Sequence, residues 1–95
     1  MGYVDYDDQR DYRRDLQRAE ERYQRDLYRA QERYDRDVFR ARERFARDRY
    51  RNYGRAIDRY HRDMSRAEHR YQNEVAKVRR RYERDRRRAQ DRLYR

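Results

Sequence analysis

The sequence predicts an all-α protein: a long amphipathic helix with an eleven-residue (hendecad) repeat that assembles as a coiled coil or helical bundle. Three observations lead to this fold class. An aromatic residue returns every eleven residues, Pro is absent and Gly occurs only twice, and 53% of residues are charged, with signs that alternate at short range. Period-two alternation, which would indicate strands, is absent.

Seven copies of one eleven-residue unit make up most of the chain. Four copies fill 12–55 and three fill 60–92, with four extra residues between them. The consensus is Tyr-x-Arg-Asp-Φ-x-Arg-Ala-x-Glu-Arg, where Φ is aliphatic. Eleven residues in three turns correspond to about 3.67 residues per turn, so the repeat favours nearly straight or slightly right-handed packing over the left-handed heptad coil.

The apolar residues of each unit are spaced four, three and four apart, which places them on one helix face. We predict that this stripe joins copies of the chain into a homo-oligomer, because 34% hydrophobic residues supply too little apolar surface for a monomeric core. The stripe comprises Tyr12, Leu16, Ala19, Tyr23, Leu27, Ala30, Tyr34, Val38, Ala41, Phe45, Tyr60, Met64, Ala67, Tyr71, Val75, Val78, Tyr82, Ala89 and Leu93. Tyr28, Phe39 and Tyr50 are predicted to lie beside it and widen it.

The predicted organisation is an acidic N-terminal lead-in, 1–7, followed by the repeat helix, 8–94. Asp7 or Asp8 is the expected N-cap. Pairs of opposite charge four residues apart are expected to support the helix by ~0.2–0.5 kcal/mol each. These pairs are Glu21–Arg25, Arg22–Asp26, Glu32–Arg36 and Glu43–Arg47.

The middle of the chain allows two interpretations. One is a helical hairpin with a bend at 52–59 and Gly54 as the C′ residue of the first helix. The other is a continuous helix, since Tyr53, Ile57 and Tyr60 carry the stripe across the four extra residues. A single Gly costs only ~1 kcal/mol in a helix, and the continuous helix is the preferred interpretation.

The net charge of +10 is distributed unevenly. Residues 1–15 hold five acids and three bases, giving −2, whereas 77–95 hold three acids and ten bases, giving +7. The basic tail predicts either contacts to nucleic acid, the alternative function, or head-to-tail contacts that propagate into filaments. Its candidate contact residues are Lys77, Arg79, Arg80, Arg81, Arg84, Arg86, Arg87 and Arg88, and the acidic partners in the next chain would be Asp5, Asp7, Asp8 and Asp11.

Catalysis is not expected. The carboxylates lie among arginines, which keep them ionised, and the chain has no Cys, no Gly-rich phosphate loop and no Ser/His/Asp arrangement. His61 and His69 are expected to be solvated, so we predict no metal, cofactor or small-molecule substrate. The chain lacks both a secretory signal and an apolar run near the ~18 residues of a membrane span. A soluble intracellular protein without a membrane partner is the expectation.

The eleven-residue period and the high charge content resemble the helical repeats of the late-embryogenesis-abundant proteins of group three. Those repeats are rich in Ala, Lys and Glu, whereas this repeat is rich in Tyr, Arg and Asp. The resemblance therefore implies a helical repeat, and no desiccation-protective function is inferred from it.

Overall fold

A computed structural model of the chain describes residues 6–94. Within that range the chain forms two long helices, α1 (Tyr6–Asp48) and α2 (Tyr53–Leu93), and no strand. The all-α prediction is confirmed. The helices extend this far because the apolar spacing of four, three and four persists along most of each helix, with an interruption in α2 at Arg86, and because no Pro removes a backbone donor.

The preferred prediction of one continuous helix is wrong, because the chain turns at 49–52. The Arg49 amide still donates to the Phe45 carbonyl at 2.9 Å, and the amides of Arg51 and Asn52 both donate to the Asp48 carbonyl, at 3.1 and 3.3 Å. The turn thus satisfies two of the last carbonyls of α1, those of Phe45 and Asp48. It also precedes most of the expected bend at 52–59.

Asn52 is the N-cap of α2. Its side-chain Oδ1 accepts a hydrogen bond from the Arg55 amide at 3.1 Å, and its carbonyl accepts from the Ala56 amide at 3.0 Å. Gly54 therefore lies in the first turn of α2, and its φ is not positive. Its expected role as a left-handed C′ residue is wrong. A methyl group there would meet only Asn52 Oδ1 at 3.7 Å, so the turn does not require glycine.

The N-terminal prediction also needs correction. α1 begins at Tyr6, so Asp7 and Asp8 lie in its first turn, where a carboxylate favours the helix dipole, and neither is the cap. Residues 1–5 of the predicted lead-in, with Asp5, lie outside the described residues. At the other end, Arg92 lies in the last turn of α2.

The chain divides into two compact units. Among the described residues, the terminal unit contains 6–27 and 76–94, and the hairpin unit contains Tyr28–Val75 with the turn. In each unit a segment of α1 packs antiparallel to a segment of α2. The ion pairs between the helices show this direction, because a step of eleven residues forward along α1 corresponds to a step of eleven residues backward along α2. The pairs are Asp37–Arg70 and Asp48–Arg59 in the hairpin unit, and Asp15–Arg92 and Asp26–Arg81 in the terminal unit.

Small residues form the core of both units. The buried residues are Ala19, Val78 and Ala89 in the terminal unit, and Ala30, Ala41, Ala56 and Ala67 in the hairpin unit, each at most 8% exposed. Within 6–94 no polar residue is buried, and no larger side chain falls below 2% exposure. Short side chains let two helices approach closely, so the larger residues beside them are left only partly covered.

Candidate self-association face and ion-pair grooves

The structure places every residue of the predicted stripe at or beside the contact between the helices. Six of the stripe residues are buried: Ala19, Ala30, Ala41, Ala67, Val78 and Ala89. The other thirteen are half-buried, and none is exposed. In the single chain the stripe of α1 therefore packs against the stripe of α2.

Each helix presents an apolar side and an ionic side to its neighbour. Taking Ala41 as the centre of the contact and 100° per residue, Val38 and Phe45 lie about 60° and 40° to one side. Asp37 and Arg44 lie about 40° and 60° to the other. The same positions around Ala67 hold Met64 and Tyr71 on the first side, and Asp63 and Arg70 on the second. Each helix pair thus has one apolar edge and one ion-pair edge.

Aromatic pairs line the apolar edge. In the hairpin unit the ring centroids of Tyr34 and Tyr71 are 5.2 Å apart, and those of Phe45 and Tyr60 are 5.4 Å apart. In the terminal unit Tyr23 and Tyr82 approach to 4.6 Å with their planes 49° apart. Tilted pairs of this kind contribute about 0.5–1.5 kcal/mol beyond the area they bury.

Ion pairs between the helices line the other edge. The hairpin unit contains Arg59–Asp48 at 3.5 Å, Arg70–Asp37 at 3.3 Å and Arg44–Asp63 at 3.7 Å. The terminal unit contains Arg92–Asp15 at 2.7 Å, Arg81–Asp26 at 3.2 Å and Arg22–Asp85 at 3.8 Å. Because the arginines are nearly half exposed or more, each pair contributes at most ~1 kcal/mol. Their main effect is to disfavour registers that would juxtapose like charges.

Most of the expected pairs along a single helix do not form. Of the four, Arg22–Asp26 is present at 3.9 Å, and the other three are absent from the described residues. Glu21 instead accepts a hydrogen bond from Gln17 at 3.2 Å. Glu32 and Glu43 lie on the solvent side, where a fixed pairing is worth little.

Two features of the contact were missed or misjudged from the sequence. Ala56, 5% exposed, was not among the predicted stripe residues. Together with half-buried Ile57, which the continuous-helix interpretation had placed in the stripe, it extends the contact of α2 towards the turn. The signal was present, since Arg-Ala-Ile-Asp-Arg at 55–59 matches the Arg-Ala-x-Glu-Arg end of the unit. The prediction that Tyr28, Phe39 and Tyr50 widen the stripe is wrong, because they are 66%, 62% and 80% exposed. Phe39 precedes Ala41 by two residues, which is about 160° around the helix.

The basic tail is only partly neutralised. Arg81 pairs with Asp26, while Arg86 contacts Glu83 at 3.5 Å and lies 5.7 Å from the Tyr82 ring centroid. Lys77 is exposed and also has an interaction partner. The remaining tail arginines are exposed and have no carboxylate partner within 6–94. They are Arg79, Arg80, Arg84, Arg87 and Arg88.

The acidic N-terminal residues pair locally. Asp7 contacts Arg10 at 3.5 Å, and Asp11 contacts Arg14 at 3.3 Å, all within the first turns of α1. These side chains are largely exposed, so the pairs are weak.

Metal and membrane sites are not evident in the described part of the chain. His61 and His69 are exposed, and residues 6–94 contain no group of three or more His, Cys, Asp or Glu side chains that would hold a metal ion. Neither α1 nor α2 has a stretch apolar and long enough to cross a bilayer. No protein-family model, curated protein or solved structure matches the chain.

Proposed function

We propose that this chain is a structural protein that assembles with copies of itself through the apolar edges of its helix pairs. The observation that carries the proposal is that the two edges of each helix pair differ, and that the apolar edge is left only partly covered. Ion pairs line one edge, whereas the Tyr, Val, Leu and Met side chains of the other edge remain half-buried. Covering them would add stabilisation of about 25 cal/mol for each Å² of apolar surface removed from water.

A second copy of the chain is the occupant that suits this edge best. Because α1 and α2 carry the same repeat and run antiparallel within each unit, both sides of an apolar edge are built from the same residue types. A surface of this kind is self-complementary, which favours an isologous contact between identical subunits. Two helix pairs joined in this way make a four-helix bundle, and the hendecad period favours nearly straight or slightly right-handed packing in it.

A closed bundle is preferred over a filament. The filament prediction rested on the opposite charges of the two ends of the chain, −2 over 1–15 and +7 over 77–95. Asp7, Asp8 and Asp11 belong to the same terminal unit as the arginines of the basic tail. Head-to-tail pairing of Asp7, Asp8 and Asp11 with the tail arginines therefore loses its main support, and no catalytic step is part of the proposal.

Sedimentation equilibrium combined with circular dichroism tests the assembly. We expect a helical particle of about twice the 12.5 kDa chain mass at tens of micromolar protein. Changing Val38 and Met64 on the apolar edge to Glu should produce monomers that retain helical signal, because the charges would be desolvated in the contact.

The matched control places the same two charges on the opposite face, at Phe39 and Ser65, and should leave the dimer intact. Equal behaviour of the two variants, or a monomeric wild type, would contradict the proposal. Filaments that dissolve as salt rises, seen by electron microscopy, would favour the head-to-tail contact instead.

The five unpaired tail arginines favour a second candidate function, binding of nucleic acid without sequence preference. We expect changing Arg79, Arg80, Arg84, Arg87 and Arg88 to Gln to weaken binding of a duplex in a gel shift and to reduce its salt slope, since fewer counterions would be released. The matched control changes five other exposed arginines, Arg13, Arg25, Arg36, Arg42 and Arg62, to Gln. If the wild type gives no shift at low salt, nucleic-acid binding is excluded.

A further inference from the structure

The ion-pair edge of the hairpin unit encloses a groove of about 240 Å³. Its floor consists of Ala41 and Ala67, each 3% exposed. Three further side chains from each helix line it: Asp37, Arg40 and Arg44 from α1, and Asp63, Arg66 and Arg70 from α2. Each set occupies the same positions of the eleven-residue unit.

The groove carries more positive than negative charge. Four guanidinium groups and two carboxylates line it, which leaves a net charge of +2. The carboxylates of Asp37 and Asp63 are each engaged by an arginine of the opposite helix. Arg40 and Arg66 have no carboxylate partner among residues 6–94. Two guanidinium groups, one from each helix, therefore remain available above an alanine floor.

We propose that this groove binds a dianionic phosphate group, such as a phosphomonoester or inorganic phosphate, between Arg40 and Arg66. The planar guanidinium presents N–H donors in a fork that matches phosphate oxygens. A monoester carries about −1.5 to −2 charges above its second pKa near 6, which matches the charge of the groove. A phosphodiester carries a single charge and matches it less well.

The same construction recurs in the terminal unit, which supports a binding role for this edge. A second groove of about 240 Å³ has Ala19 and Ala89 in its lining. Its two aspartates pair across the helices with Arg22 and Arg92. Arg18 and Arg88, the counterparts of Arg40 and Arg66, line this groove and again have no carboxylate partner within 6–94. The Arg that precedes Ala in the unit thus has no ion-pair role in either groove.

Nuclear magnetic resonance of the full chain with labelled alanine methyl groups tests the site directly. Titration with methyl phosphate at pH 7.5 should shift the methyl signals of Ala41 and Ala67 in a saturable manner. Exposed Ala46, in the same unit, is the internal control and should not shift. Binding should weaken as the pH falls through about 6, because the ligand then loses its second charge.

The variant Arg40→Gln/Arg66→Gln should weaken binding at this groove by roughly tenfold for each guanidinium removed. The control Arg36→Gln/Arg62→Gln removes the same charge from the same two helices outside the groove and should change affinity by less than about twofold. Equal loss in both variants would overturn the proposal in favour of general electrostatic attraction. The proposal would also be overturned if dimethyl phosphate bound as tightly as methyl phosphate, or if the Ala41 and Ala67 signals of the wild type did not change. These two measurements use the wild-type chain and do not require the variants to fold.

Discussion

Changing Tyr23, Tyr34, Tyr71 and Tyr82 to Ser is expected to abolish cooperative folding of the helix pairs. The four rings form the Tyr23–Tyr82 and Tyr34–Tyr71 contacts, with one pair in each unit. Because the rings are half-buried, each substitution should lower the free energy of unfolding by about 1.5–2 kcal/mol, which includes the lost ring–ring contact. The summed loss is similar to the total stability of about 5–15 kcal/mol of an ordinary domain.

Urea titration followed by circular dichroism measures this loss. The matched control changes four exposed glutamines, Gln24, Gln31, Gln72 and Gln90, to Ser. Exposed substitutions away from the contact are expected to change stability by less than about 0.5 kcal/mol each. If the two variants unfold alike, the assignment of Tyr to the helix contact is wrong.

Changing Ala41 and Ala67 to Leu is expected to destabilise the hairpin unit, although Leu is a strong helix former and adds apolar surface. Both alanines are 3% exposed in the contact between the two helices. Extra methylene groups in a packed contact force the helices apart or the side chains off their rotamers, at a cost of about 1–3 kcal/mol per site. The ion pairs Arg44–Asp63 and Arg70–Asp37 beside them should also open.

The sign of the change in stability is the informative result. Ala46→Leu, on the exposed face of α1 in the same unit, is the control and should be neutral within about 0.5 kcal/mol. If Leu at positions 41 and 67 raised the melting temperature, the space between the helices would be larger than the structure has it. The small residue of the unit would then not be required for packing.

The ionic edge shows where local sequence rules lose their predictive value. Asp37 can meet an arginine of its own helix or Arg70 of the other helix, and both choices satisfy simple charge rules. In the structure Asp37 pairs with Arg70 of the other helix at 3.3 Å, and the Asp37 carboxylate is partly covered there. Pairs along one exposed helix contribute only ~0.2–0.5 kcal/mol, which is too little to compete once a second helix lies alongside.

The turn shows the same limitation for the backbone. Four extra residues rotate a helix by about 400°, one full turn and 40° more, so the stripe continues almost in phase whether or not the chain turns. Gly54, taken as the end of the first helix, indicated the wrong element, because Asn52 caps α2 and Gly54 lies inside it. A difference of ~1 kcal/mol in local propensity cannot decide between a turn and a continued helix.

The sequence by itself determined the helical fold class and the face of each helix that is covered, because helix periodicity is a local property repeated in every copy of the unit. It assigned all nineteen stripe residues to one covered face, although to a contact between copies of the chain, and the angle from Ala would also have placed Phe39 on the far side. Only the tertiary structure decided that the chain turns at 49–52 and that the stripe of α1 packs against α2 of the same chain. It also decided that Asp of one helix pairs with Arg of the other along the two grooves that alanines line. These features depend on burial summed between segments far apart in the chain, and that sum exceeds the small local preferences that a sequence displays.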